Sequence, residues 1–235
     1  MTIILTALGP DAGLFSLGDM LTSAPGYQGI GLPLPLQFDR ASRSSGGNTL
    51  VGFAQKLCLV TPTVLVSWAG SYIVAVALTK EVQRVARDGL HVDLASVVAA
   101  SGLSPTEIEQ VALIVHEVVD DKIEIQCLNA ERGVIDGLDA AWTGSGSFDF
   151  LHDTVIATDD DAPRWQDMLR SLMMRTATTL AGEAMHGTPY DYMYGGWFEM
   201  VISRTAGLRK IPYALKFWGR RGGEYGYDAP IFFNW

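Results

Sequence analysis

The residue with the clearest chemical potential is the threonine at position 2, which follows Met1. If Met1 is removed, Thr2 carries a hydroxyl nucleophile and a free α-amine in the same residue. The usual pKa of an α-amine is about 7.7–8.0, so this group can accept a proton near neutral pH, where a lysine cannot. A Met-Thr start is common and decides nothing alone, so its meaning depends on the residues that follow.

Other kinds of chemical site have little support in the spacing of residues. The four histidines are isolated and no Cys or His pair has ligand spacing, so we predict no metal site and no cofactor. The acidic run at 159–161 precedes a predicted helix, whose N-terminus favours negative charge. The Gly-Ser-Gly-Ser sequence at 144–147 lacks the lysine of a phosphate loop. No Gly-x-Ser-x-Gly sequence precedes a histidine, so a serine hydrolase is not indicated.

Composition and charge narrow the class of protein. The chain has 235 residues, 48% of them apolar and 18% charged, which is typical of a globular protein and fits a single domain over residues 1–235. The net charge of −9 and the lack of a basic stripe argue against nucleic acids and anionic membranes as partners. Cys58 and Cys127 lie in apolar runs, which favours core positions and a reducing compartment. No signal peptide or membrane-spanning stretch is visible, so we expect a cytoplasmic protein.

Apolar patterning predicts the elements that would position Thr2. Strands are predicted at 2–8, 14–18, 53–60, 63–68, 111–119, 123–128, 138–143, 197–203 and 211–218. Helices are predicted at 70–87, 92–101 and 163–185, with a helix start at Ser104 and a long loop at 24–49. This order favours helices that cover two stacked sheets, in the layer order α/β/β/α.

Five blocks of the sequence, in order, resemble the proteasome β-type subunits, including their bacterial proteasome-like type. They are Thr2-Ile3-Ile4; Leu17-Gly18-Asp19 with Thr22-Ser23; Lys56-Leu57 with Trp68-Ala69-Gly70-Ser71; Gly144-Ser145-Gly146-Ser147; and Asp191-Tyr192-Met193-Tyr194-Gly195-Gly196. Lys56 and Gly70 are 14 residues apart, as in that family. The resemblance implies an α+β fold of the N-terminal nucleophile hydrolase type, a four-layer α/β/β/α sandwich with two stacked antiparallel sheets.

The resemblance also implies a role for each matching residue. Thr2 would be the nucleophile and, through its amine, the base. Lys56 would stabilise the ionised hydroxyl, and Asp19 would keep Lys56 charged; the alternative is an ordinary surface ion pair. The backbone N–H of Gly70 would face the developing oxyanion. Ser145 and Asp191 would position the amine and its water.

The remaining implications concern the substrate and the assembly. Ser23 would pair its backbone with an extended peptide, and Trp68 would make the pocket for the residue before the cut shallow. The alternative for Trp68 is a place in the core between the two sheets. We also expect a ring-like homo-oligomer, with the aromatic tail at 225–235 as one candidate interface; the alternative is that this tail folds onto its own domain.

The sequence is compatible with three functions. The leading one is a threonine hydrolase that cleaves peptide or amide bonds through an acyl-enzyme on Thr2. The second is a catalytically silent subunit of the same fold, which a retained Met1 would favour because it blocks the amine. The third is a non-peptide amidase or a transferase, since a fold does not determine its substrate.

Overall fold

Two five-stranded antiparallel sheets form the centre of the structure, a computed structural model that describes residues 2–8, 13–25, 48–144, 198–204, 207–211, 220–221 and 224–225. The strands are β1 (Ile4–Leu8), β2 (Leu14–Asp19), β3 (Leu21–Pro25), β4 (Asn48–Phe53), β5 (Leu57–Thr61), β6 (Val64–Gly70), β7 (Val111–Val119), β8 (Lys122–Asn129), β9 (Gly133–Ile135), β10 (Ala140–Thr143), β11 (Phe198–Arg204), β12 (Gly207–Ile211), β13 (Arg220–Arg221) and β14 (Glu224–Tyr225). The helices are α1 (Tyr72–Arg87), α2 (Leu94–Ala100) and α3 (Pro105–Ile108).

The strand order places ten of the described strands in two sheets. The first sheet has the order β10-β1-β2-β11-β12, and the second has the order β5-β6-β7-β8-β9. Every pairing within them is antiparallel, including that of β1 with β2. The short pairs β3–β4 and β13–β14 are separate two-stranded sheets.

Alternation along β6 shows how the layers pack. Leu65 and Ala69 belong to a buried cluster shared by the two sheets, whereas Val66 and Trp68 belong to a cluster that includes α1 and α2. Helix α1 contributes Val74, Ala75, Leu78 and Val82, whose spacing forms one apolar face. The predicted α+β sandwich of two stacked antiparallel sheets is therefore confirmed, while the helix predicted at 163–185 lies outside the described residues.

Several element boundaries differ from the sequence prediction. Strands β3 and β4 pair with each other at the two ends of the predicted loop 24–49, of which residues 26–47 lie outside the described ranges. The strand predicted at 53–60 is β5, preceded by a short irregular segment that ends at Lys56. Strand β12 (Gly207–Ile211) was not predicted, and Gly207, with a φ of 113°, allows it to pair back on β11. Of the strand predicted at 211–218, only Ile211 lies within the described residues. Residues 212–219 are not described.

Two further features bear on the sequence predictions. Ser104 forms the predicted helix start, where its side chain and that of Glu107 cap each other's backbone N–H groups. Among the described residues, no helix is both long and apolar enough to cross a lipid bilayer.

We expect acid to destabilise the protein, because a histidine is buried between the two sheets. His116 on β7 is fully buried, and its Nε2 lies 2.7 Å from the Thr6 hydroxyl on β1. Burial lowers the pKa of His116 from its usual 6.5 to about 4. As the pH falls, the unfolded chain therefore binds a proton at His116 before the folded chain does. Above pH 6.5 the free energy of unfolding is not reduced by this residue, and it falls by roughly 3 kcal/mol as the pH drops from 6.5 towards 4.

Urea unfolding at several pH values measures this effect. His116→Gln should flatten the pH dependence in that window, whereas His91→Gln, which changes a half-exposed ring, should retain it. Equal acid sensitivity of the His116→Gln and unchanged chains would contradict the assignment.

Candidate active site

Three side chains from separate segments meet at one end of the sandwich. Lys56 Nζ donates to Thr2 Oγ1 at 3.0 Å and to Asp19 Oδ1 at 2.9 Å. The side chain of Lys56 is 1% exposed and that of Asp19 is 0% exposed. The pair is therefore buried rather than an ordinary surface ion pair, and its ammonium contacts the threonine hydroxyl directly.

Strands β1 and β2 place Thr2 beside Asp19. The strands pair antiparallel with Ile4 opposite Gly18, so the residue before β1 lies against the end of β2. The backbone N–H of Ile3 donates to Asp19 Oδ1 at 2.9 Å, and the Asp19 N–H donates to the Ile3 carbonyl at 3.0 Å. Asp19 thus holds both the backbone next to Thr2 and the ammonium that faces the Thr2 hydroxyl.

Burial and charge have opposite effects on the Lys56 ammonium. Burial is the larger effect and lowers the pKa of Lys56 below its usual value of 10.5, because a charged group loses its water. The carboxylates of Asp19 and Glu199 act in the other direction and stabilise the charged form. The outcome is an ammonium that is easier to deprotonate than an exposed lysine, next to a hydroxyl that could become a nucleophile.

At two glycines the backbone lies so close to another backbone segment that no side chain would fit. Gly70 has a φ of 98°, and a Cβ there would lie 2.2 Å from the Gln110 carbonyl oxygen. Gly144 has a φ of 94°, and a Cβ there would lie 2.1 Å from the Thr2 carbonyl oxygen. Gly144 is therefore packed against Thr2. The Gly-Ser-Gly-Ser block contained this glycine, but nothing in the sequence pattern selected it as a site residue.

Glu199 is a second neighbour of Lys56 that sequence reasoning missed. Its Oε2 accepts from the backbone N–H groups of Lys56 and Leu57, each at 3.2 Å. The only sequence signal is an acidic residue inside the apolar strand predicted at 197–203. Such a residue is unusual in a buried strand and requires a partner.

Trp68 lies on the helix-facing side of the second sheet. It is 3% exposed and belongs to the cluster with α1, and its Nε1–H donates to the Gln55 carbonyl at 3.0 Å. Its ring centroid is 5.8 Å from that of the exposed Tyr72. The alternative that placed Trp68 between the two sheets is therefore wrong, because alternation along β6 directs Leu65 and Ala69 there instead.

The other predicted site residues are only partly described. Ser23 lies in β3 opposite Leu50, and β3 pairs with no strand other than β4 in the part of the chain that the structure describes. Ser145 and Asp191 lie outside the described residues, as does Met1. Within the described ranges, no three His, Cys, Asp or Glu side chains are grouped as metal ligands would be.

A comparison with solved structures found a protein with a similar fold. The chain is similar to the crystal structure of eukaryotic HslV from Trypanosoma brucei, with a TM-score of 0.52 over 85% of this chain and 98% of that one. HslV is a proteasome-like N-terminal nucleophile hydrolase. The chain has the same type of fold as HslV. At 15% sequence identity the likeness establishes the fold alone, and neither family models nor curated protein sequences give a match.

Proposed function

We propose that the protein is a threonine hydrolase that cleaves peptide or amide bonds through an acyl-enzyme on Thr2. The observation that supports this most directly is the Lys56 ammonium, which lies 3.0 Å from the Thr2 hydroxyl and 2.9 Å from Asp19. A positive charge at this position lowers the cost of ionising the hydroxyl. The reaction requires Thr2 at a free amino terminus, so Met1 and anything before it must be removed.

The proposed reaction has two stages. The Thr2 amine takes the hydroxyl proton while Oγ1 attacks the substrate carbonyl, and the oxyanion that forms is stabilised by the Gly70 backbone N–H. The proton then passes to the leaving amine as the C–N bond breaks, which gives an ester on Thr2. In the second stage the Thr2 amine activates a water, which hydrolyses the ester and frees the acid product. Ser145 and Asp191 are proposed to position the amine and this water.

The proposed substrate is an extended peptide. The edge of β3 not paired with β4 offers backbone groups for strand addition at Ser23. Trp68 is proposed to occupy much of the pocket for the residue before the cut, which favours small side chains. Tyr72 borders Trp68 and lies two residues after Gly70, so this aromatic pair is close to the proposed oxyanion site.

Trp68→Ala tests the pocket and the packing of the same residue. We expect a loss of about 3–5 kcal/mol in unfolding free energy, because a buried indole and its hydrogen bond to Gln55 are removed. We also expect faster cleavage of peptides with larger side chains, relative to small ones. Urea unfolding and paired fluorogenic peptides measure the two effects, and unchanged preference in a folded variant would refute the pocket.

Covalent labelling of the mature chain tests the proposed function. A cleavable tag that leaves Thr2 as the first residue gives the active form, and the uncut chain is the matched control. We expect a peptide epoxyketone to add the mass of one probe per mature chain, and none to the uncut chain or to Thr2→Ala. A mature chain that takes no probe and cleaves no peptide would refute the hydrolase and favour a silent subunit.

The fold also suggests an assembly. We propose that the chain forms a ring-like homo-oligomer. Both HslV, whose structure is similar, and the proteasome β-type subunits, which the sequence resembles, assemble into rings. Light scattering at micromolar concentration should give a multiple of the chain mass of 25.5 kDa. A single-chain mass under those conditions would contradict the oligomer without affecting the proposed chemistry.

A further inference from the structure

The Glu199 carboxylate connects β11 to the segment that carries Lys56. Its Oε2 accepts from the backbone N–H groups of Lys56 and Leu57, and its Oε1 is ion-paired with Lys210 on β12. Glu199 is 6% exposed, whereas the Lys210 side chain is 31% exposed. A carboxylate this buried is costly unless it is paired and hydrogen-bonded, and here both oxygens have partners.

We propose that Glu199 is a positioning residue for Lys56: its carboxylate holds the backbone that carries the ammonium and supplies a second negative charge in addition to Asp19. Lys210 limits the effect of that charge by pairing with Glu199. This network lies outside the set of residues that the family resemblance assigns, and it does not touch the reacting atoms.

The backbone contacts support the positioning role. Lys56 lies just before β5, where its carbonyl accepts from the Trp68 N–H at 3.2 Å while its own N–H donates to Glu199. Glu199 therefore provides the hydrogen bond that a neighbouring strand would supply. Opposite Glu199 in the first sheet is Gly18, where a Cβ would lie 3.2 Å from the Leu57 side chain. The absent side chain lets the start of β5 pack closely against β2.

The charges around Lys56 support the electrostatic role. The described groups are Asp19 from β2, Glu199 from β11 and, through Glu199, Lys210 from β12. Burial lowers the Lys56 pKa, and both carboxylates oppose that change. Cys58, two residues along, is affected by the same opposing pair: burial and Glu199 raise the pKa of its thiol, while Lys210 acts to lower it.

These contacts predict opposite effects for two substitutions. Glu199→Gln keeps an oxygen that can accept from the backbone but loses the negative charge, so the Lys56 pKa should fall. Lys210→Gln removes a positive charge and leaves Glu199 unneutralised, so the Lys56 pKa should rise. A residue that only supports the fold would not produce shifts of opposite sign, so the signs separate the two roles.

An NMR titration of lysine side chains measures these shifts directly. The chain has five lysines, so selective ¹³C-lysine labelling gives few signals, and Lys56→Met assigns the one from Lys56. Glu117→Gln is the matched control, because Glu117 is also a buried strand carboxylate that accepts a backbone N–H, from Val92 at 2.9 Å. The control should leave the Lys56 titration unchanged.

The consequence for turnover rests on the proposed function, whereas the titration does not. In the mature chain, Glu199→Gln should lower kcat about 10- to 100-fold, since small misplacements of a catalytic group are costly, with little change in KM. The pH at which kcat falls on the alkaline side should follow the Lys56 pKa. It should therefore be lower in Glu199→Gln and higher in Lys210→Gln than in the unchanged chain. If no variant turns over substrate, the titration still decides the inference.

The Lys56 titration can refute the positioning role of Glu199. Lys56 titrations that do not move, or that move in the same direction in both variants, would overturn it even if the enzyme is active. If Glu199→Gln does not fold, Lys210→Gln decides alone, and an unchanged or lowered Lys56 pKa would then refute the charge effect.

Discussion

Thr2→Ala in the mature chain should lower peptide turnover by about 10⁴- to 10⁶-fold, the range seen when an activated nucleophile is removed. Thr2 contacts Lys56 Nζ through its hydroxyl, and Asp19 remains to hold the ammonium when that hydroxyl is removed. Stability should therefore change little while catalysis is lost. Turnover per chain and the unfolding midpoint, measured on one preparation, separate the two effects.

Two matched chains make this result specific to the threonine hydroxyl. Thr2→Ser keeps a hydroxyl on the same carbon and should retain measurable turnover and labelling. A chain with an extension before Thr2 keeps the hydroxyl but lacks the free amine, so it should be as inactive as Thr2→Ala. Substantial turnover by Thr2→Ala, or by the extended chain, would contradict the proposed mechanism.

The layered fold was predictable because its strands are short apolar runs with clear ends. Along β6, strand alternation places Trp68 and Gly70 on the same face. The pattern could not indicate which face of the sheet meets the helices, because both faces of β6 are apolar. The structure resolves this, since Trp68 packs with α1 while Leu65 packs between the sheets.

The candidate site was predictable only where a motif marked it. Thr2, Asp19 and Lys56 lie in the sequence blocks that resemble the proteasome β-type subunits, and the structure brings their side chains into contact. Glu199 belonged to no block, and its partners at the start of β5 are more than 140 residues away in the sequence. A single acidic residue in an apolar strand signals a buried partner, but only the packing of the two sheets identifies that partner.

Removal of both charges of the buried ion pair should separate the contribution of the pair to stability from the contribution of Lys56 to catalysis. Lys56→Met leaves the buried Asp19 carboxylate without its ammonium, and we expect a loss of about 3–5 kcal/mol in unfolding free energy. Asp19→Asn together with Lys56→Met removes both charges, and the amide oxygen introduced by Asp19→Asn can still accept from the Ile3 N–H. Much of the lost stability should therefore return.

Activity should not return with stability in that double variant. Without the ammonium 3.0 Å from the Thr2 hydroxyl, we expect turnover at least about 10²- to 10³-fold below the unchanged chain in Lys56→Met and in the double variant alike. Urea unfolding and peptide cleavage on the same samples give the comparison. A double variant that regains both stability and turnover would show that Lys56 is needed only for folding. A stable but inactive one would assign its charge to the chemistry at Thr2.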